Sequence, residues 1–130
     1  MSAEENKKML MQWYETTNTR DLNAIDTLID QIIAPDYVLH DPGFPEFGKG
    51  PAAMKATMHG IIQTYPDLHV AVEDVFAEGD KVVLRGVITG TNAATAEPLN
   101  LQTIGISRFS EGKIVEEWGL EVPVPTPVKA

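Results

Sequence analysis

The spacing of hydrophobic positions along this chain changes near residue 67. Before it they recur every three or four residues, which is typical of amphipathic helices; after it they alternate with polar positions, as in strands. A capping box at Ser2 and Glu5 starts the first helix, and Pro35 ends the second because the residue before a proline is pushed out of the α region. The pattern predicts helices over residues 3–17, 22–34 and 50–65.

Strands account for most of the remaining chain. A short strand, Tyr37–His40, precedes the third helix, and the loop at residues 42–50 is rich in proline, glycine and phenylalanine. The later strands are predicted from Leu68 to the turn at Glu78-Gly79-Asp80, and over Lys81–Thr91, Leu99–Phe109 and Ile114–Val122.

Helices followed by consecutive strands indicate an α+β fold rather than alternating βαβ units. We expect a cone-shaped, curved antiparallel sheet wrapped around the three N-terminal helices, with an apolar cavity between the two layers. Residues 1–122 form one domain in this interpretation. Residues 123–130 are rich in proline and are predicted to be an extended C-terminal arm.

Composition excludes several classes of function. The 130 residues carry a formal charge of −9 without a basic cluster, which argues against nucleic acid and anionic membranes as partners. Cysteine is absent, so disulfides and thiolate chemistry are excluded. No His-x-x-x-His or Glu-x-x-His spacing indicates a metal site. The chain has no apolar run long enough to span a membrane, and residues 1–8 lack the apolar stretch of a secretory signal, so we expect a cytoplasmic protein.

An ordered set of segments resembles the SnoaL-like polyketide cyclase family, within the nuclear-transport-factor-2-like superfamily. The resemblance covers most of residues 4–122. The matching segments are His40-Asp41-Pro42, residues 65–74 (YPDLHVAVED), residues 77–85 (AEGDKVVLR), Gly90-Thr91, Arg108-Phe109 and residues 112–118 (GKIVEEW).

The resemblance implies a cone-shaped fold with a pocket, and a homodimer or higher oligomer built on the open face of the sheet. Characterised relatives close a polyketide ester by an intramolecular aldol reaction, using side-chain acid/base catalysis and no cofactor. The wider superfamily includes ketosteroid isomerases, limonene epoxide hydrolases and dehydratases, and many members that only bind or assemble. The fold alone does not choose among these functions.

Three residues are candidates for catalysis: His40, Asp41 and Glu121. An imidazole at the cavity mouth suits proton transfer, although Asp41 would instead cap the Pro42-Gly43 turn in the simpler interpretation. The family carries an acid about four positions after the strand tryptophan, whereas Glu121 follows Trp118 by three, so strand alternation predicts opposite faces. Glu121 is either a buried acid of raised pKa or a solvated residue on the outer face beside Glu117.

A second group of residues is expected to line the pocket, with ordinary core packing as the alternative for the apolar ones. Tyr14 and Gln102 would offer hydrogen bonds to a carbonyl or enolate oxygen, and His69 lies either in the pocket or in an oligomer interface. The group consists of Trp13, Tyr14, Phe44, Phe47, Met54, Met58, His69, Gln102 and Trp118.

Two classes of function remain open from the sequence. In the first, a cofactor-free enzyme binds a small hydrophobic carbonyl compound and catalyses aldol cyclisation, isomerisation or hydrolysis. Epoxide hydrolysis would need an arginine flanked by two acids, and Arg85 has no evident pair of partners in the sequence. In the second class, the cavity holds a hydrophobic ligand without chemistry, or the fold serves only for oligomerisation.

Overall fold

Three helices and five strands make up the described part of the computed structural model, residues 2–125. The helices are α1 (Ala3–Thr19), α2 (Leu22–Ile32) and α3 (Gly50–Thr64). The strands are β1 (Ile33–His40), β2 (His69–Glu78), β3 (Lys81–Thr91), β4 (Pro98–Ser110) and β5 (Lys113–Pro123). None of the described helices is both long and apolar enough to cross a membrane.

Side-chain caps fix where the first two helices begin. The Ser2 hydroxyl accepts the Glu5 backbone N–H at 3.1 Å, and the Glu5 carboxylate accepts the Ser2 N–H at the same distance, so the predicted capping box is confirmed. Asp21 Oδ1 accepts the N–H groups of Asn23 and Ala24 at the start of α2. These bonds satisfy backbone donors that the helix itself leaves unpaired.

The sheet is curved and unclosed, with strand order β1-β5-β4-β3-β2. All neighbours are antiparallel except β1 and β5, which run parallel, so the sheet is mixed rather than wholly antiparallel as the sequence suggested. β1 also begins at Ile33, four residues before the predicted start. Pro35 is tolerated inside β1 because this is an edge strand, where a missing N–H breaks no ladder on the open side.

The helices pack against the concave face of the sheet, called here the inner face. The predicted stripes of α1 and α2 are buried as expected, and they meet the inward positions of β3, where Val82 and Leu84 are at most 3% exposed. Further members of this core are Leu10, Trp13, Ile25, Leu28, Ile29, Ile32, Tyr37, Phe109 and Ile114.

The opposite, convex side of the sheet, the outer face, carries large apolar side chains without cover from the helices. Ile104, Leu120 and Val122 are each more than half exposed. Phe76, Val38 and Trp118 are also exposed at 59%, 38% and 36%. The outer face is therefore unusually apolar for a solvent-facing surface.

The last strand extends one residue beyond its predicted end, into the segment predicted to be the C-terminal arm. Pro123 is still part of β5 and pairs with Leu101, and the Val124 N–H donates to the Asn100 carbonyl at 2.8 Å. Residues 126–130, the rest of the predicted arm, lie outside the described residues.

Candidate functional site

A cavity lies between the helices and the inner face, and it has two adjacent compartments. The larger, of about 410 Å³, is called the apolar compartment, because Leu68, Val70, Ile88, Leu99 and Leu101 form much of its wall. The smaller, of about 150 Å³, is called the polar compartment. Its distinctive lining residues are Tyr37, Asp41, Thr103, Gly105, Glu117 and Gly119. The two compartments share the lining residues Trp13, Tyr14, Phe44, Met58, Ile61 and Glu121.

Asp41 and Glu121 meet where the two compartments join. Asp41 follows β1 and Glu121 lies near the end of β5, and the parallel pairing of these strands places the two carboxyl groups side by side. Burial, a hydrogen bond with Asp41 and the charge of Asp41 together raise the pKa of Glu121 to about 7. The pair can therefore hold a proton on Glu121 at neutral pH.

Glycines make room for the Asp41 carboxylate. The Gly43 N–H donates to Asp41 Oδ1 at 2.8 Å. A Cβ atom on Gly119 would lie only 2.9 Å from Asp41 Oδ2, and one on Gly43 would lie 3.2 Å from Oδ1 and 3.6 Å from Glu121 Oε2. A side chain on Gly119 would therefore displace Asp41.

Glu117 is a third carboxyl group on the inner face, two positions before Gly119. Tyr37 Oη donates to Glu117 Oε1 at 2.6 Å, and the Ser107 hydroxyl donates to Oε2. Burial raises the pKa of Glu117, while the hydrogen bonds from Ser107 and Tyr37 act in the opposite direction. The carboxyl group is thus held in one orientation at the wall of the polar compartment.

Tyr14, on α1, borders both compartments. Burial raises its pKa, and the negative charges of Glu117 and Glu121 raise it further. The phenol therefore keeps its proton at physiological pH and remains a hydrogen-bond donor.

Most of the sequence-predicted pocket residues do line the cavity. This is so for Trp13, Tyr14, Phe44, Phe47, Met54 and Met58, together with the predicted acids Asp41 and Glu121. Their catalytic and binding roles stay predictions. What the structure establishes is that these side chains line adjoining compartments of one cavity.

His40 lies outside the cavity, on the outer face. Its ring stacks on Trp118 with centroids 5.4 Å apart, and its Nε2 lies 2.7 Å from Glu116 Oε2. The cause is strand alternation: Asp41 points inward, so the residue before it points outward. His40 was expected to be the polar group of the pocket, but the structure places its side chain outside the cavity.

The side chains of three other predicted pocket residues also lie outside the cavity interior: Gln102, His69 and Trp118. Gln102 is exposed and pairs with Val122 on the outer face, and His69 is exposed at the start of β2. Trp118 borders the polar compartment, but its ring is on the outer face against His40.

Sequence reasoning missed Glu117, Tyr37 and Ser107. Glu117 was considered only as an outer-face neighbour of Glu121, yet both point inward. The signal available in the sequence was the alternation of side chains along a strand, which places residues 117 and 121 on the same face. If Glu121 faces the cavity, Glu117 is therefore expected to face it too.

Arg85 does have two acidic partners, which the sequence did not reveal. Its guanidinium lies 2.6 Å from Asp74 Oδ2 and 3.4 Å from Glu73 Oε2. All three side chains are exposed on β2 and β3, away from the cavity lining. The acid–arginine–acid arrangement is therefore not part of this site. Within residues 2–125, no group of three or more histidine, aspartate or glutamate side chains is placed to hold a metal ion.

Several solved structures are similar to this chain over most of its length. IdmH from Streptomyces antibioticus, described as a putative polyketide cyclase, is 25% identical with a TM-score of 0.74, covering 89% of this chain and 91% of its own. A protein from Acidithiobacillus ferrooxidans with the same description is 26% identical with a TM-score of 0.74, covering 93% and 91%. AclR from Streptomyces galilaeus, described as a putative hydroxylase, is 28% identical with a TM-score of 0.75, covering 93% and 77%.

A comparison with curated protein sequences finds no match. The sequence profile of the SnoaL-like domain, however, matches residues 10–117, which include both sides of the cavity. Since this match spans most of the chain, and the helices, mixed sheet and cavity agree with it, the chain belongs to the SnoaL-like domain family.

Proposed function

We propose that the cavity is the active site of an enzyme that moves protons on a small, hydrophobic carbonyl compound. The observation that carries this proposal is the Asp41–Glu121 pair, with a raised Glu121 pKa, at the junction of the two compartments. A partly buried pair of carboxyl groups that shares a proton provides a base and an acid at the same pH.

In this proposal Asp41 is the base, because the Gly43 N–H donates to its Oδ1 and holds the carboxyl group close to Glu121. It takes a proton from the carbon next to a carbonyl group and leaves an enolate. Tyr14 donates a hydrogen bond to the enolate oxygen, where negative charge develops. The enolate carbon then bonds to a second carbonyl carbon of the same molecule, and Glu121 protonates the oxygen formed there.

The hydrogen bond within the pair completes the cycle. After the reaction Asp41 holds the proton taken from carbon, and Glu121 has given one away. Transfer between the two carboxyl groups restores the starting state without another acid or base. Return of the proton to a different carbon of the enolate would give isomerisation instead of ring closure.

The size and lining of the cavity support a largely apolar substrate. About 410 Å³ is a suitable volume for a small ligand body, and its wall is formed mainly by leucine, valine, isoleucine and aromatic side chains. Similarity to IdmH, described as a putative polyketide cyclase, supports carbonyl chemistry of this kind.

The test is turnover of a panel of aromatic polyketide esters by the wild type and by E121Q and D41N. We expect both variants to lose at least about a hundredfold in kcat/KM, as is usual for removal of a general acid or base. The wild-type rate should change with an apparent pKa near 7 that is absent in E121Q. H40A is the matched control and should keep its activity; loss in H40A alone would contradict the proposal.

A second candidate function is retention of a hydrophobic ligand without chemistry, which the apolar lining also favours. Tight binding with no turnover by the wild type, and equal affinity in E121Q and D41N, would support it over catalysis.

We further propose that a second copy of the chain covers the outer face. The exposed side chains of Ile104, Leu120 and Val122 form an apolar strip there, and a two-fold dimer buries the same patch on both partners. Light scattering should give the mass of a dimer for the wild type and of a monomer for L120D. N23D, which adds the same charge on exposed α2, should remain dimeric; a monomeric wild type would refute this part.

A further inference from the structure

The wall of the polar compartment contains a hydrogen-bond acceptor that is only partly used. A carboxyl group offers several acceptor positions on its two oxygens, whether or not it carries a proton. Glu117 receives one hydrogen bond from Tyr37 and one from Ser107, on different oxygens. Both donors lie on the protein side, and the same carboxyl group borders the compartment. The remaining acceptor positions are therefore available to a molecule inside it.

The other walls do not supply enough donors to match these acceptors. Three carboxyl groups face the cavity, those of Asp41, Glu117 and Glu121, and its described lining includes no lysine, arginine or histidine. In the polar compartment Tyr14, Thr57 and Thr103 each contribute one hydroxyl group, and the Tyr37 hydroxyl already donates to Glu117. Because unpaired acceptors in a buried site cost free energy, a ligand that brings its own donor is favoured.

Two facing glycines leave room for such a group. Gly105 on β4 pairs with Gly119 on β5, and both border the polar compartment. The inner face therefore lacks two side chains beside Glu117, while Asp41 occupies the space directly over Gly119. The free volume of about 150 Å³ has space for a polar substituent and the edge of a ring, with the rest of the ligand in the apolar compartment.

We propose that the polar compartment is a subsite for a hydroxyl group of the ligand, and that Glu117 accepts its hydrogen bond. Glu117 is then a specificity-determining residue, separate from the proton-transferring pair. The preferred ligand is a hydroxylated apolar compound, such as a phenol or an enol. That this ligand is also the substrate rests on the proposed function, whereas the subsite itself does not.

The test measures binding without turnover. We would titrate 2-naphthol and 2-methoxynaphthalene, which share a two-ring body but differ in the donor, into the wild type, E117Q, E121Q and D41N by calorimetry. A hydrogen bond to Glu117 predicts that the wild type binds 2-naphthol about tenfold more tightly than 2-methoxynaphthalene. The preference should disappear in E117Q and persist in E121Q and D41N.

A folding control keeps the result interpretable. S107A removes a neighbour of Glu117 but keeps its carboxyl group, and it should retain the preference for 2-naphthol. Equal affinity of the two probes in the wild type would overturn the proposal, as would an undiminished preference in folded E117Q or failure of both probes to bind. These binding outcomes do not depend on whether the Asp41–Glu121 pair catalyses a reaction. The proposed subsite and the proposed function can therefore fail separately.

Discussion

Replacement of Glu121 by glutamine should stabilise the protein at high pH and leave it unchanged at low pH. The native state raises the pKa of this carboxyl group from 4.5 to about 7. Between these two values the folded chain binds a proton that the unfolded chain has lost. The free energy of unfolding therefore falls as pH rises through this window and levels off above it.

The size of the effect follows from the shift. A change of 2.5 pKa units corresponds to about 3.4 kcal/mol, at 1.36 kcal/mol per unit. Because Glu121 is only partly buried, solvent screening reduces this figure, and we expect about 1 to 2 kcal/mol. The neutral amide keeps a donor toward Asp41 and avoids the buried charge. The free energy of unfolding of E121Q should therefore exceed that of the wild type by this amount at pH 8, which corresponds to a Tm higher by roughly 3 to 8 °C.

The assay is urea unfolding of both proteins at intervals from about pH 3 to about pH 8, a range that reaches below the ordinary pKa of a glutamate. E116Q is the matched control, because hydrogen bonds from His40 and Arg108 lower the pKa of Glu116. In the wild type the Glu116 carboxylate stabilises the folded state at neutral pH, and this stabilisation is lost as pH falls. E116Q should therefore be less stable than the wild type near pH 7 and should approach its stability in acid. If E121Q is no more stable than the wild type at pH 8, the raised pKa assigned to Glu121 beside Asp41 is wrong.

Three further predictions concern other parts of the structure. G119A should lower turnover by at least about tenfold, because its methyl group would lie 2.9 Å from Asp41 Oδ2. It should also shift the apparent pKa of the pH–rate profile. G60A, whose methyl group would have nothing within 4 Å, should have neither effect. H40A should keep kcat/KM but weaken the dimer measured by light scattering, because His40 lies on the outer face. N18A should lower the free energy of unfolding by about 2 kcal/mol, since the Asn18 amide both donates to and accepts from the backbone of Val70; thermal melting would check this.

The elements of the fold were predictable because each depends on local spacing. Apolar positions in α1 and α2 recur at helical intervals, and the Ser2 and Asp21 caps mark their starts. The parallel pairing of β1 with β5 was not predictable in the same way. It joins segments about 80 residues apart, and nothing in either segment specifies the direction of its neighbour.

The site was only partly predictable because an irregularity in β5 reverses which residues face inward. The register shifts where Phe109 pairs with Ile114 but Arg108 pairs with Glu116. An extra residue in one strand moves all later side chains to the opposite face. Ile114 is therefore buried in the core, while the equally apolar Trp118, Leu120 and Val122 are exposed. Glu117 and Glu121, on the opposite face, line the cavity.

The parallel contact between the first and last strands has a consequence for how activity arises during folding. Asp41 and Glu121 are 80 residues apart in the sequence, so neither hairpin nor helix formation can bring them together. Long-range contacts of this kind form slowly, because a large loop must close first. A partly folded chain holding only the β2–β3–β4 meander would have secondary structure but no proton-sharing acids. Recovery of turnover after dilution from denaturant would then lag behind recovery of the circular dichroism signal.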